Sequence, residues 1–130
     1  MHRKYLSDAI EDEMESLTRS LCKEHFPKEA EVVVKWGYSK NFLGLATISL
    51  MDWRSPTIVY SRRTLDRRTH SDRIETVYHE VSHQIVFYNM VRIWHEGGAT
   101  PGGLCRLMDR EGEHGPMWRS QMIKFGYHKC

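Results

Sequence analysis

Leu6, Ile10, Met14, Leu17 and Leu21 recur at steps of three or four along "YLSDAIEDEMESLTRSLCKEHF", residues 5–26. That spacing lays one apolar stripe along a helix and leaves acidic side chains on the opposite side. Pro27 closes it. The pattern then changes. "EVVVKW" (31–36), "FLGLATISLM" (42–51) and "TIVYS" (57–61) are rich in β-branched residues and predict three strands, the last two divided by the turn-like "DWRSP". A longer helix is expected from near Ser71, with Asp72 in its first turn, to about Trp94. It carries two apolar stripes: Ile74, Tyr78, Val81, Ile85 and Tyr88, then Val77, Phe87, Val91 and Trp94. Apolar groups on two sides predict a helix buried in the middle of the fold. "HEGGATPGGLC" is glycine-rich and aperiodic, so it predicts a loop. A closing helix, "PMWRSQMIKF" (116–125), starts at Pro116, a favourable first-turn residue, and stops before Gly126.

These elements make an α+β fold: a small β-sheet packed against a central helix, with flanking helices. The chain has 130 residues, a length that suits one domain, and no repeat or linker divides it, so residues 1–130 are expected to form a single unit. With 19 Lys and Arg against 17 Asp and Glu, the net charge of +2 permits a nucleic-acid partner but does not call for one. No apolar run is long enough for a membrane span, and "MHRKYLSDAIEDEME" lacks the apolar centre of a secretory signal. Cys22, Cys105 and Cys130 form no CxxC pair and cannot all pair within the chain. A reduced, cytoplasmic protein is the expectation.

The polar residues that interrupt the central helix carry the chemistry. His79-Glu80-Val81-Ser82-His83 matches H-E-x-x-H. Residues four apart on a helix lie one above the other, so both imidazoles can reach one ion. Glu80 falls about 100° round the axis, at the side of that ion, where its carboxylate can take a proton from water. His and Glu also occur together by chance on helix surfaces. Here they sit in an otherwise apolar helix, where each would lose hydration unpaired. A shared zinc ion removes the conflict, lowers the pKa of a water and polarises a carbonyl.

Catalytic zinc usually takes a third protein ligand. The metzincin pattern requires glycine at position 86 and histidine at 89, but the chain has Val86 and Asn89. Glu96, Glu111 and Glu113 are available carboxylates. His95 lies on the same helix, roughly 18 Å of rise beyond His83, too far unless the helix bends back. His114, in "REGEHGPMW", stands at the entrance to the last helix, where Gly115 and Pro116 can aim it back at the motif. Ligand chemistry favours His114 over any single glutamate and leaves the glutamates open.

In "TVYHEVSHQIVF" (76–87) and "DREGEHGPMW" (109–118), and in the order of its elements, the chain resembles an SprT-like domain, the zinc-metalloprotease domain also found in the Spartan DNA–protein-crosslink proteases. The resemblance implies a minimal zincin-like fold, helix ligands at His79 and His83, a catalytic glutamate at Glu80 and a third ligand at His114. It also implies proteolysis by a single zinc ion, in several members directed at proteins attached to DNA. The chain departs from the family pattern in two ways. His114 follows His83 by 31 residues, with "RIWHEGGATPGGLCRL" standing as an insertion. Nothing resembles the four-cysteine zinc ribbon of many bacterial relatives or the long Spartan tail.

Arg62, Arg63, Arg67, Arg68 and Arg73 crowd twelve residues and suit phosphate contact, although Asp66 and Asp72 interrupt them. Trp36, Trp53, Trp94 and Trp118 are expected in the core or at its rim. In zincins a substrate chain pairs with an edge strand; "TIVYS" is either that edge or an interior strand. The glycine-rich segment reads equally as a lid and as a plain loop. Tyr127, His95 and the loop backbone are candidate oxyanion donors. The reading is a zinc-dependent endopeptidase. A DNA-associated binding or structural protein that keeps the zinc site is the alternative, and the intact Glu80 argues for the enzyme.

Overall fold

The computed structural model describes residues 5–49, 52–97 and 114–127. Helix α1 spans Asp8–His25. Ser7 caps it, its hydroxyl accepting from the amide of Ile10 at 3.3 Å, and Asp8 and Glu11 lie favourably in its first turn. Leu6 therefore stands just outside the helix, yet it is buried with Met14 and Leu21 of its stripe, while Ile10 and Leu17 are half-buried.

Three strands follow: β1 Val33–Gly37, β2 Gly44–Thr47 and β3 Thr57–Ser61. Their order is β1-β3-β2, with β1 parallel to β3 and β2 antiparallel to it. "TIVYS" is thus the interior strand. Ile58 and Tyr60 on it have no solvent exposure, and the Tyr60 hydroxyl lies 2.8 Å from that of Thr18 on α1. The second strand is shorter than the run 42–51 predicts, beginning at Gly44 and ending at Thr47; residues 50 and 51 lie outside the described residues.

A one-turn helix, α2 Arg62–Leu65, leads into α3, His70–His95. Helix α3 thus starts one residue before Ser71, with Asp72 in its first turn as expected, and Thr69 caps it by accepting from the amide of Asp72 at 3.1 Å. Helix α4, Pro116–Lys124, begins at its proline and turns off at Gly126, whose φ of +96° suits glycine.

Helix α3 is buried without a break from Glu80 to Val86. Its Val77, Val81, Ile85 and Tyr88 pack with Met14, Leu21 and Cys22 of α1 and with Ile58 and Tyr60 of β3. A second, smaller cluster joins Val86 and Met90 to Trp118 and Met122 of α4. The two expected stripes are therefore redistributed: Val77 belongs to the main core, and Val86 and Met90 make the second contact. Burial raises the Cys22 thiol to about 12, so it stays protonated inside the core. No helix among the described residues is long and apolar enough to cross a membrane.

Gln84 fastens helix to sheet. Fully buried, it donates from Nε2 to the carbonyls of Thr47 at 2.7 Å and Thr57 at 2.6 Å. Those two residues form the pair that ends the β2–β3 ladder. The residue after His83 thus holds the edge strand against α3.

Candidate metal centre

One turn of α3 raises His79 and His83 on the same face, and the approach to α4 brings in His114 from the other side. Nε2 of His79 lies 3.2 Å from Nε2 of His83 and 3.2 Å from Nε2 of His114. The ligating atoms of all three lie within 4.8 Å of one another. Nitrogens bound tetrahedrally at roughly 2.0–2.1 Å from zinc stand about 3.3–3.4 Å apart. Hydrogen bonding alone does not account for the cluster. A ring nitrogen has one in-plane lone pair or hydrogen, so the His79 Nε2 cannot serve both neighbours well. A cation at the point of convergence can. Three imidazoles are a donor set that suits zinc, and the site fits a metal ion. Burial lowers the pKa of His83 to about 3, helped by the neighbouring His79 and His114, so this ring is held neutral, the form that binds metal.

Aromatic rings wall the site. Trp118 is buried, with ring centroids 4.3 Å from His114, 4.8 Å from His79 and 5.3 Å from His83. Its Nε1 donates to the carbonyl of His79 at 3.2 Å, tying α4 to the helix that carries the motif. Phe87 stacks on His83 at 5.8 Å instead of entering the core. The role of Trp118 goes beyond the core or rim position expected of it. Its only sequence signal is its place in the first turn of the helix that His114 introduces.

Glu80 is buried beside the edge strand. Two clefts meet there. One, about 200 Å³, is lined by Gly44, Leu45, Ala46, Phe87 and the three histidines together with Glu80. The other, about 350 Å³, runs from Gly44, His79 and Glu80 towards Arg68, Asp72 and Glu75. Together they form a path along β2 past the histidine cluster, and β2 is an edge strand of the sheet among the described residues.

Other candidates fall elsewhere. Glu96 caps the far end of α3 and lines a cleft with Trp53 and Tyr88. His95 stacks on Trp53 at 5.0 Å, and Tyr127 packs on Tyr78 at 5.4 Å. None of these three lines either cleft at Glu80. Glu111, Glu113 and most of the glycine-rich segment lie outside the described residues. The arginines divide. Arg62 makes a bidentate pair with Glu11, at 2.9 and 3.1 Å, and lies over the rings of Trp36 and Tyr38. Arg73 donates to the carbonyls of Leu65 and Asp66 at 2.9 and 3.2 Å. Arg63, Arg67 and Arg68 are exposed.

The model of the SprT-like family matches residues 14–99, more than half of the chain. The chain belongs to the SprT-like family. No curated protein and no solved structure matches it. The matched span takes in the SprT-like sheet and both helix histidines but ends before His114. The geometry alone therefore joins His114 to the SprT-like motif in the structure.

Proposed function

We propose that this chain is a zinc-dependent endopeptidase, acting as one SprT-like domain over residues 1–130. The observation that carries the reading is the convergence of three imidazole nitrogens beside a buried carboxylate on a cleft that runs along an edge strand of the described sheet. His79, His83 and His114 would hold the ion. Bound zinc supplies Lewis acidity, which polarises a peptide carbonyl and acidifies water. The chain's own residues do the rest. The outer edge of β2 pairs with an extended substrate and lays its scissile bond across Glu80. Glu80 takes a proton from water as the water oxygen bonds to the carbonyl carbon. It then returns that proton to the nitrogen as the C–N bond breaks. A site that only held structure would have no need of a base here. Cleavage of an unfolded protein such as casein by the zinc-loaded chain, abolished by a chelator and restored by zinc, is the direct test. Full zinc loading with no cleavage would favour the binding-protein alternative.

Action on DNA-associated proteins, inside the cell, belongs to the same proposal. Phosphate contact falls to Arg63, Arg67 and Arg68, because Arg62 and Arg73 are already engaged within the fold. Replacing those three by Ala should weaken single-stranded DNA binding at low salt. It should also flatten the plot of log K against log salt by about 2, since each lost phosphate contact removes roughly 0.7. An unchanged slope would place the DNA contact elsewhere.

A further inference from the structure

We infer that Gly44 is a positioning residue for Glu80: it is a glycine because the glutamate side chain occupies the space a Cβ would fill. A Cβ built on Gly44 would lie 2.8 Å from Cγ of Glu80, 3.1 Å from Oε2 and 3.2 Å from Cδ. Contacts under 3.0 Å force a shift, and Cγ is not the loose tip of a flexible chain. It belongs to a buried side chain rooted in the most enclosed stretch of α3.

The backbone gives no other reason for glycine. Among the described residues only Gly97 and Gly126 have positive φ, so Gly44 has a conformation open to other residues. Glycine in a strand also weakens it, through chain entropy and the missing side chain. Gly37, the other glycine in the sheet, provides the contrast: a Cβ there would meet only Cγ1 of Val59, at an ordinary 3.8 Å. The antiparallel register sets Gly44 opposite Tyr60, so the buried Tyr60 ring and a Cβ on Gly44 would share the face of the sheet that meets the helices. Strand and helix can therefore approach only because one residue between them has no side chain. The carboxylate is held where the two clefts join, and its reach towards the reacting water is set by the edge strand as much as by α3.

The inference rests on the proposed role of Glu80 for its catalytic consequence, but not for its packing. Gly44→Ala should keep the zinc content of the parent and change KM for a short peptide by no more than about twofold. Its kcat should fall by roughly a hundredfold, the cost of misplacing a reacting group by an ångström. Gly37→Ala should leave kcat unchanged. Melting temperature supplies the readout that needs no activity. Gly44→Ala should lower it in the parent chain, or prevent folding there, and should not lower it in a Glu80→Ala chain, where the space is free. Equal lowering in both chains, failure of both to fold, or a raised KM with kcat intact would overturn the inference. A parent chain that cleaves no peptide would end the proteolytic reading, while the melting comparison would still decide the packing.

Discussion

Glu80→Gln should leave the zinc content and the melting temperature close to those of the parent and reduce peptide hydrolysis on the order of 10²–10⁴-fold. The substitution is nearly isosteric, so the close approach to Gly44 is preserved. What it removes is the ability to take a proton from water and carry it to the leaving nitrogen. Binding should survive, because the three imidazoles and the strand edge are unchanged. Purified variant, assayed with zinc content measured on the same sample, checks the result. Turnover at the parental rate, with contaminating proteases excluded, would require a different base.

His114→Ala should weaken zinc binding by more than about a hundredfold, beyond the ten- to hundredfold effect of groups that only support a ligand. Its Nε2 is one of three that converge, and two histidines cannot close the site. Glu111→Ala and Glu113→Ala should leave affinity nearly intact. The long interval back to His83 is no obstacle, since the entropy of closing a loop grows only logarithmically with its length. Competition with a chromophoric chelator measures all three. Parental affinity in His114→Ala, together with its loss in either glutamate variant, would move the third ligand to a carboxylate.

Much of this arrangement is legible in the residues because it depends on local spacing. The stripe from Leu6 to Leu21 repeats about once per helical turn, and the histidines four apart and the proline that opens α4 each fix a feature within a turn. The start of α3 shows where such reading blurs. Thr69, Ser71 and Asp72 are all capping residues, and the choice of Thr69 is visible only in its bond to the Asp72 amide. Strand order is not local at all. "TIVYS" has the composition of a strand, but its interior place lies in its pairing with β1 on one side and β2 on the other, both distant choices of partner. Helix α2 is four residues long, too short for any period to show. Arg62 reads as part of a basic run because its partner, Glu11, stands 51 residues away. Gly44 reads as an ordinary strand glycine for the same reason: its neighbour Glu80 is distant in sequence and close in space.

Helix α4 meets the rest of the protein through the smaller of the two apolar clusters, aided by Trp118 on the His79 carbonyl and by Ser82 donating to the Met122 sulfur at 3.3 Å. The larger cluster takes only Phe125, at the C-terminal cap of α4, from this part of the chain. An ion shared between His114 and α3 would therefore act as a clasp on the helix that, among the described residues, the main core holds only at its last turn, and the chain would have two levels of cohesion. Removing the ion should release the amides of α4 to hydrogen exchange while those of α1 and β3 stay protected. The C-terminal helix would then sense metal supply, loosening the wall of the cleft before the remainder of the fold is affected.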